Sequence, residues 1–434
     1  MNGKYLYVTG LVAIVVAGAI IRCNMETASG PTPYYVYQDS TQSASSMTVG
    51  KGLKTFTLPT SQVINGIGRV VTVSPAGNST VYMKGTITAY DRSSGSMTVN
   101  VIDTSGTGSY SNWRVVLGKN ASEILDSVKN AYVALKFGMF FHFNMSTFDR
   151  CCCGNGGPGQ TSCLTVSGEW GKANTPEKEF NPTHLNCGQW ADAAKWAGCN
   201  YMVLVTKHHD GFCLWPTKFT KHCVSNAACT TDVVRQFCDS ARSRGMRIGF
   251  YYSIRDLTNG TSLGFIKGQL TELLTNYDKN IICIWFDGWG WDAGYKMVPY
   301  DTIRDCIKRC QPNCLIVENN HEFTTTHSEM LEWEMPIDGP PPLNNTRPGE
   351  GNEPIRYSSA SKERCWFWHP EYNCDLMTKE TIVNHLKSNN TGHAAYLLDL
   401  TPDTTGLIPD CQVQMMKDVG GLLGVGTSSS YTGR

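Results

Sequence analysis

Asp287 is the residue around which chemistry can be arranged, because it closes the apolar run I-I-C-I-W-F-D-G at positions 281–288. Five of the first six residues of that run are β-branched or aromatic, which is the composition of a strand buried on both faces. A carboxylate at the C-terminal end of such a strand faces the rim of a parallel barrel, where active sites are built. The plainer reading is a cap for the next helix. However, residues 288–294 form a Trp/Gly-rich loop rather than an immediate helix start, which favours a working carboxylate. Other apolar runs end on polar or aromatic groups in the same way, so the rim would also receive His142, His208, His209, Tyr251, Trp285 and a glutamate from the stretch 329–334. Two carboxylates among imidazoles and aromatic rings suit glycosidic cleavage. One attacks or stabilises the anomeric carbon, and the other gives and takes the leaving-group proton. For His208 and His209, metal binding or core packing is the competing reading. Adjacent residues on a strand point to opposite faces, so both reach one ligand only where the strand is ending.

Holding these groups together requires strands whose ends converge. Strands are expected at residues 137–142, 201–208, 247–253, 281–288, 315–319, 330–334 and 395–400. Helices are expected at 188–197, 232–244, 265–277, 300–310, 378–388 and 411–423. The helix at 232–244 is amphipathic and stops at Gly245. Strand and helix in alternation over about three hundred residues argue for a (β/α) barrel of the TIM type rather than an open sheet. No G-x-G-x-x-G or G-x-x-x-x-G-K-[ST] follows any of these strands, so no nucleotide cofactor is expected.

Before the barrel, the sequence changes character twice. Residues 5–21 carry no charge and lie between Lys4 and Arg22. This length sits between a signal-peptide core and a membrane span, so residues 1–25 are expected to be an anchor or signal segment. Residues 26–120 are rich in Ser, Thr, Gly and Val with no cysteine, and short alternating runs separated by turn residues predict an all-β module. A spacer or attachment role suits it, since it holds no catalytic constellation. Its phrases G-K-G-L-K-T-F-T (50–57), Y-M-K-G-T-I-T-A-Y (82–90) and G-T-G-S-Y-S-N-W (106–113) resemble a module of phage tail and virion structural proteins. That resemblance implies adhesion or display, on a virus particle or another surface. The barrel would then occupy residues 121–434.

With 37 basic and 37 acidic residues, the chain lacks the basic excess that phosphate binding needs, so nucleic acid is not expected as a partner. Seventeen of the eighteen cysteines lie between Cys151 and Cys411. That density predicts disulfides in an oxidising compartment. The clusters Cys151-Cys152-Cys153 and Cys306, Cys310, Cys314 lack paired C-x-x-C spacing, so a metal is not expected. Sequons at Asn78, Asn120, Asn144, Asn259, Asn344 and Asn389 fit the same external location.

The barrel motifs together resemble the retaining α-L-fucosidase family of glycoside hydrolases. F-G-M-F-F-H-F (137–143), G-E-W (168–170), V-T-K-H-H-D-G-F-C-L-W (205–215), I-G-F-Y-Y-S, W-F-D-G and Y-L-L-D-L-T-P-D-T-T-G-L-I-P (396–409) match its blocks in order, over roughly residues 131–424. The resemblance implies hydrolysis of terminal α-L-fucosyl linkages of glycans by double displacement, without a cofactor. Asp287 would be the nucleophile. His142, Glu169, Trp170, His208, His209, Tyr251 and Trp285 would line the fucose pocket. The stretch S-E-M-L-E-W-E-M-P (328–336) resembles the family's D-x-x-x-x-E block, which implies Glu334 as acid/base. Glu332, read as facing away, and Glu329 are the alternatives. Three departures stand out. An arginine the family often places between the two acids is absent from E-N-N-H-E (318–322), the usual H-W is His142-Phe143, and no β-sandwich is expected after the barrel. The absent arginine and the adhesion-like β module leave a second expectation beside the enzyme: a fucose-binding or structural surface protein without turnover. Assembly into a homo-oligomer or virion is left open, and the location implied is a membrane-anchored external domain or a secreted one.

Overall fold

The computed structural model describes residues 40–60, 67–118, 121–149, 171–290, 294–356, 366–370 and 374–425. The chain divides into two compact units, Met1–Asn120 and Ala121–Arg434.

The first unit is all-β. Its strands are β1 (Ser40–Ser43), β2 (Met47–Thr48), β3 (Gly52–Thr57), β4 (Val70–Pro75), β5 (Tyr82–Asp91), β6 (Ser96–Ser105), β7 (Ser109–Tyr110) and β8 (Trp113–Leu117). Six of them form an antiparallel sheet in the order β1-β8-β4-β5-β6-β3, and β2 pairs with β7. Alternate residues are buried, as the period-2 pattern demands: Val71 and Val73, Met97, Val99 and Val101, Trp113, Val115 and Leu117. The expected all-β module is thus present.

The second unit has eight parallel strands: β9 (Phe137–Phe141), β10 (Tyr201–Lys207), β11 (Arg247–Ser253), β12 (Ile281–Asp287), β13 (Leu315–Glu318), β14 (Leu331–Glu334), β15 (Gly349–Pro354) and β16 (Ala394–Leu400). Around them lie α1 (Ala121–Val133), α2 (Met145–Phe148), α3 (Cys187–Ala197), α4 (Val233–Ser243), α5 (Leu263–Asn276), α6 (Gly294–Met297), α7 (Tyr300–Cys310), α8 (Met335–Asp338), α9 (Lys379–Thr391) and α10 (Asp410–Leu423). The long helices begin where the sequence offers an acceptor. Asn186, Asp232, Ser262 and Thr378 each take a backbone N–H of the first turn.

The strand order β13-β12-β11-β10-β9-β16-β15-β14 curls into a TIM-like barrel. The seam between β13 and β14 carries no backbone ladder. One main-chain bond, Glu329 N to Ile316 O at 2.8 Å, and two side chains bridge it: Ser328 Oγ accepts from Glu318 N at 3.2 Å, and Glu329 Oε2 accepts from Ile316 N at 3.1 Å. Phe140, Tyr201, Val203, Tyr251, Trp285, Val317 and Leu397 fill the lumen, and Tyr132 of α1 packs with them.

Two elements were not anticipated. Helix α1 and strand β15 fall outside the expected helices and strands, and β15, Gly-Glu-Gly-Asn-Glu-Pro, has no β-branched or aromatic residue. Yet all six residues are buried. Gly349 and Gly351 are required by packing, since a Cβ on them would come within 2.4 Å of the Trp333 ring and 2.1 Å of Asn389 Oδ1.

Three expectations need correction or limits. Among the described residues the cysteines form one disulfide, Cys374–Cys411, while ten others, eight of them buried, are unbridged. They behave as small apolar groups in the core, so this part of the chain is not cystine-rich. The sequons at Asn144 and Asn389 are fully buried, which leaves no room for a glycan. The apolar stretch 5–21 lies outside the described residues, and no described helix is long and apolar enough to cross a membrane.

Candidate active site

The C-terminal ends of the strands surround a cavity of about 140 Å³. It is well below the roughly 300–1,000 Å³ of pockets for drug-sized ligands and suits one ring. Asp287, Glu334, His142, His208, His209, Tyr251 and Trp285 all line it. Glu169 and Trp170 lie outside the described residues. A larger cavity of about 320 Å³ lies at the opposite mouth, beside α1 and the starts of β12 and β13, and no carboxylate lines it.

Asp287 ends β12, and its two oxygens are fixed separately. Oδ2 accepts from Tyr251 Oη at 2.9 Å and Oδ1 from Gly288 N at 2.7 Å. Tyr251 is placed by alternation along β11, as expected, and stacks on Trp285 with centroids 5.5 Å apart. Burial, reinforced by the charge of Glu334, pushes the Asp287 carboxyl up to about 6. His209 Nε2 sits 3.7 Å from Asp287 Oδ2.

The histidines are polarised from behind. His142 Nδ1 lies 2.8 Å from Asp399 Oδ1; a carboxylate only accepts, so Nδ1 carries the proton. His209 Nδ1 lies 2.6 Å from Ser253 Oγ, whose own proton goes to Arg255 O at 2.7 Å. Nδ1 of His209 is therefore also the protonated nitrogen. Burial holds both rings well below the usual imidazole range. A neutral ring protonated at Nδ1 carries a lone pair on Nε2 that can accept a hydroxyl hydrogen.

Glu334 ends β14 and leads into α8. Oε2 accepts from Asn319 Nδ2 at 3.1 Å, His321 Nε2 lies 3.9 Å away, and the Glu334 backbone N–H is held by Asp338 Oδ2 at 2.9 Å. Its two alternatives sit elsewhere. Glu329 is tied to Arg304 at 3.0 Å and Lys308 at 2.7 Å on α7, away from the cavity. Glu332 does not face away, as had been expected. Two residues from Glu334 on one strand, it shares that face; it lies outside the cavity lining and accepts from Asn352 Nδ2.

Sequence reasoning missed several contributors. Asn319, His321, Ile337, Asn352, Trp366 and Phe367 also line the cavity. Trp366 and Phe367 pack against His142, with centroids 5.1 and 5.3 Å apart. Buried Arg356 donates to Phe367 O at 2.9 Å and His369 O at 2.8 Å, so it clamps the loop that carries both rings. Glu350, inside the barrel, accepts from Trp285 Nε1 at 3.0 Å, from Tyr201 Oη at 2.7 Å and from Tyr132 Oη. The signal that could have found these groups was weak, because all but Asn319, which closes the expected strand 315–319, come from segments with no apolar period.

A sequence model of the Alpha-L-fucosidase family matches residues 117–427. The chain is similar to alpha-L-fucosidase 1 of Arabidopsis thaliana, 28% identical over 308 residues, which covers 64% of this chain and 56% of the plant protein. The chain thus spans about half the length of that curated relative. In fold it is similar to alpha-L-fucosidase isoenzyme 1 of Paenibacillus thiaminolyticus (TM-score 0.56, 24% identity, 69% of this chain and 76% of the other). It is also similar to a Bacteroides thetaiotaomicron alpha-L-fucosidase trapped as a covalent intermediate with 2-fluoro-fucosyl fluoride (TM-score 0.57, 21% identity, 69% and 75%). The family match covers the whole barrel with its cavity, and on that ground this chain belongs to the alpha-L-fucosidase family.

Proposed function

We propose that the chain is a retaining exo-α-L-fucosidase that removes terminal α-L-fucosyl groups from glycans. The observation that carries this reading is that Asp287 and Glu334 line one small cavity with neutral imidazoles and stacked aromatic rings. In the first step an Asp287 oxygen attacks the anomeric carbon while Glu334 passes its proton to the glycosidic oxygen, and the aglycone leaves. In the second, Glu334, now a carboxylate, takes a proton from water, and that water displaces Asp287 from the anomeric carbon. Two displacements restore the starting configuration. His142 and His209 accept hydrogen bonds from sugar hydroxyls, and the family resemblance assigns Glu169 and Trp170 to the same sugar.

The experiment is release of 4-nitrophenol from its α-L-fucoside, with the anomer of released fucose followed by NMR. Wild type should give the α-anomer first, and Asp287→Ala should lose about 10³-fold or more in kcat. Full activity of that variant, or a β-anomer product, overturns the assignment. For location, the uncharged stretch 5–21 supports a membrane-anchored or secreted protein, with residues 26–120 as spacer. Carbonate extraction of expressing cells separates the two, since only an anchored chain stays in the pellet.

A further inference from the structure

We propose that His321 is the cation of this site: held by Asp338, its imidazolium faces Glu334 and assists release of the proton that Glu334 gives to the leaving oxygen. The inference rests on the acid/base reading of Glu334 given above.

Geometry carries it. After β13 the chain turns sharply, with His321 at φ 54° and Phe323 at φ 51°, both in the left-handed region that residues other than glycine seldom occupy. Such strain persists where the surroundings hold it, often at working sites. The turn brings His321 Nδ1 to 3.0 and 3.1 Å from the two Asp338 oxygens and Nε2 to 3.9 Å from Glu334 Oε2. Nδ1–H donates to a carboxylate, so a second proton on Nε2 points at Glu334. Among the described residues lining the cavity there is no lysine or arginine. His142 and His209 are buried and neutral, whereas the His321 side chain is 35% exposed and can stay hydrated while charged.

The charged groups that face the ring are acidic: Asp338 on α8, Glu334 on β14 and Asp287 on β12. The Asp338 hydrogen bond, then these charges, hold His321 above the usual imidazole range. When Glu334 donates its proton to the glycosidic oxygen it becomes a carboxylate, and the Nε2–H beside it stabilises that new charge. His321 thus acts through Glu334 as a positioning residue. Its effect should grow with the basicity of the leaving group, because a good leaving group needs little proton donation.

Two measurements test this. The first is kcat/KM against pH for wild type, His321→Gln and His321→Arg, on 4-nitrophenyl α-L-fucoside and on a fucosyl disaccharide. In His321→Gln the basic limb should move up by about one pH unit or more, the size expected when an opposite charge within 4–6 Å is removed. The loss should be larger on the disaccharide, and His321→Arg should keep the wild-type limb. Superimposed profiles with equal loss on both substrates overturn the proposal. The second measurement needs no turnover: NMR titration of the His321 imidazole, identified by its absence in His321→Gln. Its midpoint should lie above about 6.5 and fall in Glu334→Gln; a midpoint unmoved by that change overturns the coupling. If wild type hydrolyses neither substrate, the proposed function fails, and the titration still decides whether His321 and Glu334 are linked.

Discussion

As the proposed nucleophile Asp287 must be ionised, yet its site raises its pKa to about 6. The sign of the consequence is fixed. As pH falls the carboxyl regains its proton earlier than an ordinary aspartate would, and kcat/KM, which reports the free enzyme, should drop along an acid limb centred near pH 6. A profile flat down to about pH 4.5 would mean that the nucleophile is another group. Glu350 makes an opposite statement about stability. Burial holds it at about 7 rather than an ordinary 4.5, so the folded state binds its proton more tightly than the unfolded state. Its contribution is fully present below pH 4.5 and is lost as pH rises through 7, by about 3 kcal/mol across that window. Unfolding midpoints of wild type and Glu350→Gln between pH 4.5 and 8 should show a shallower decline in the variant, whatever its absolute stability. At this scale the sequence was informative where a residue closed an apolar run. Asp287, His142, His208, His209 and Tyr251 were all legible that way. Glu350 and His321 were not, because nothing local distinguishes a lumenal or cationic role from a solvated loop.

Strand β15 shows why an element can escape a reading based on hydrophobic period. Its inward positions hold Glu350 and Asn352, and two of its outward positions, Gly349 and Gly351, are glycines that let Trp333 and Asn389 pack against the backbone. Periodicity reports burial of apolar groups, and here the buried groups are polar: Glu350 accepts three hydrogen bonds and Asn352 donates to Glu332. Gly351→Ala should therefore destabilise by about 1–3 kcal/mol through overpacking, seen as a lower thermal midpoint. Gly245→Ala is a poorer comparison because of its positive φ, whereas Gly264, which has open space around it, should tolerate alanine. Arg356 follows the same logic one step on. It holds the loop through two carbonyls, so Arg356→Met should loosen Trp366 and Phe367 and raise KM several-fold with a smaller change in kcat. An unchanged KM would mean that the loop is held without it.

For the molecule as a whole, the unbridged thiols are the plainest test. Ten cysteines among the described residues are free, eight of them buried, and burial pushes thiols such as Cys199, Cys213 and Cys283 well up. A thiol reagent should react slowly with the native protein and rapidly with at least ten groups after unfolding in denaturant. Near-complete protection after unfolding would restore the disulfide-rich expectation. That expectation came from counting cysteines, and a count does not distinguish a cross-link from a small core residue. The barrel itself was legible because six of its strands, β9 to β13 and β16, carry continuous apolar runs. Its unladdered seam has a consequence for the chemistry. The seam runs between β13 and β14, where the strand bearing Glu334 meets its neighbour through one main-chain bond, Glu329 N to Ile316 O at 2.8 Å, rather than a ladder. The side chains of Ser328 and Glu329 act there as staples, so under the proposed mechanism substitutions at these two positions are the ones expected to retune the spacing of Asp287 and Glu334, the variable that separates retention from inversion.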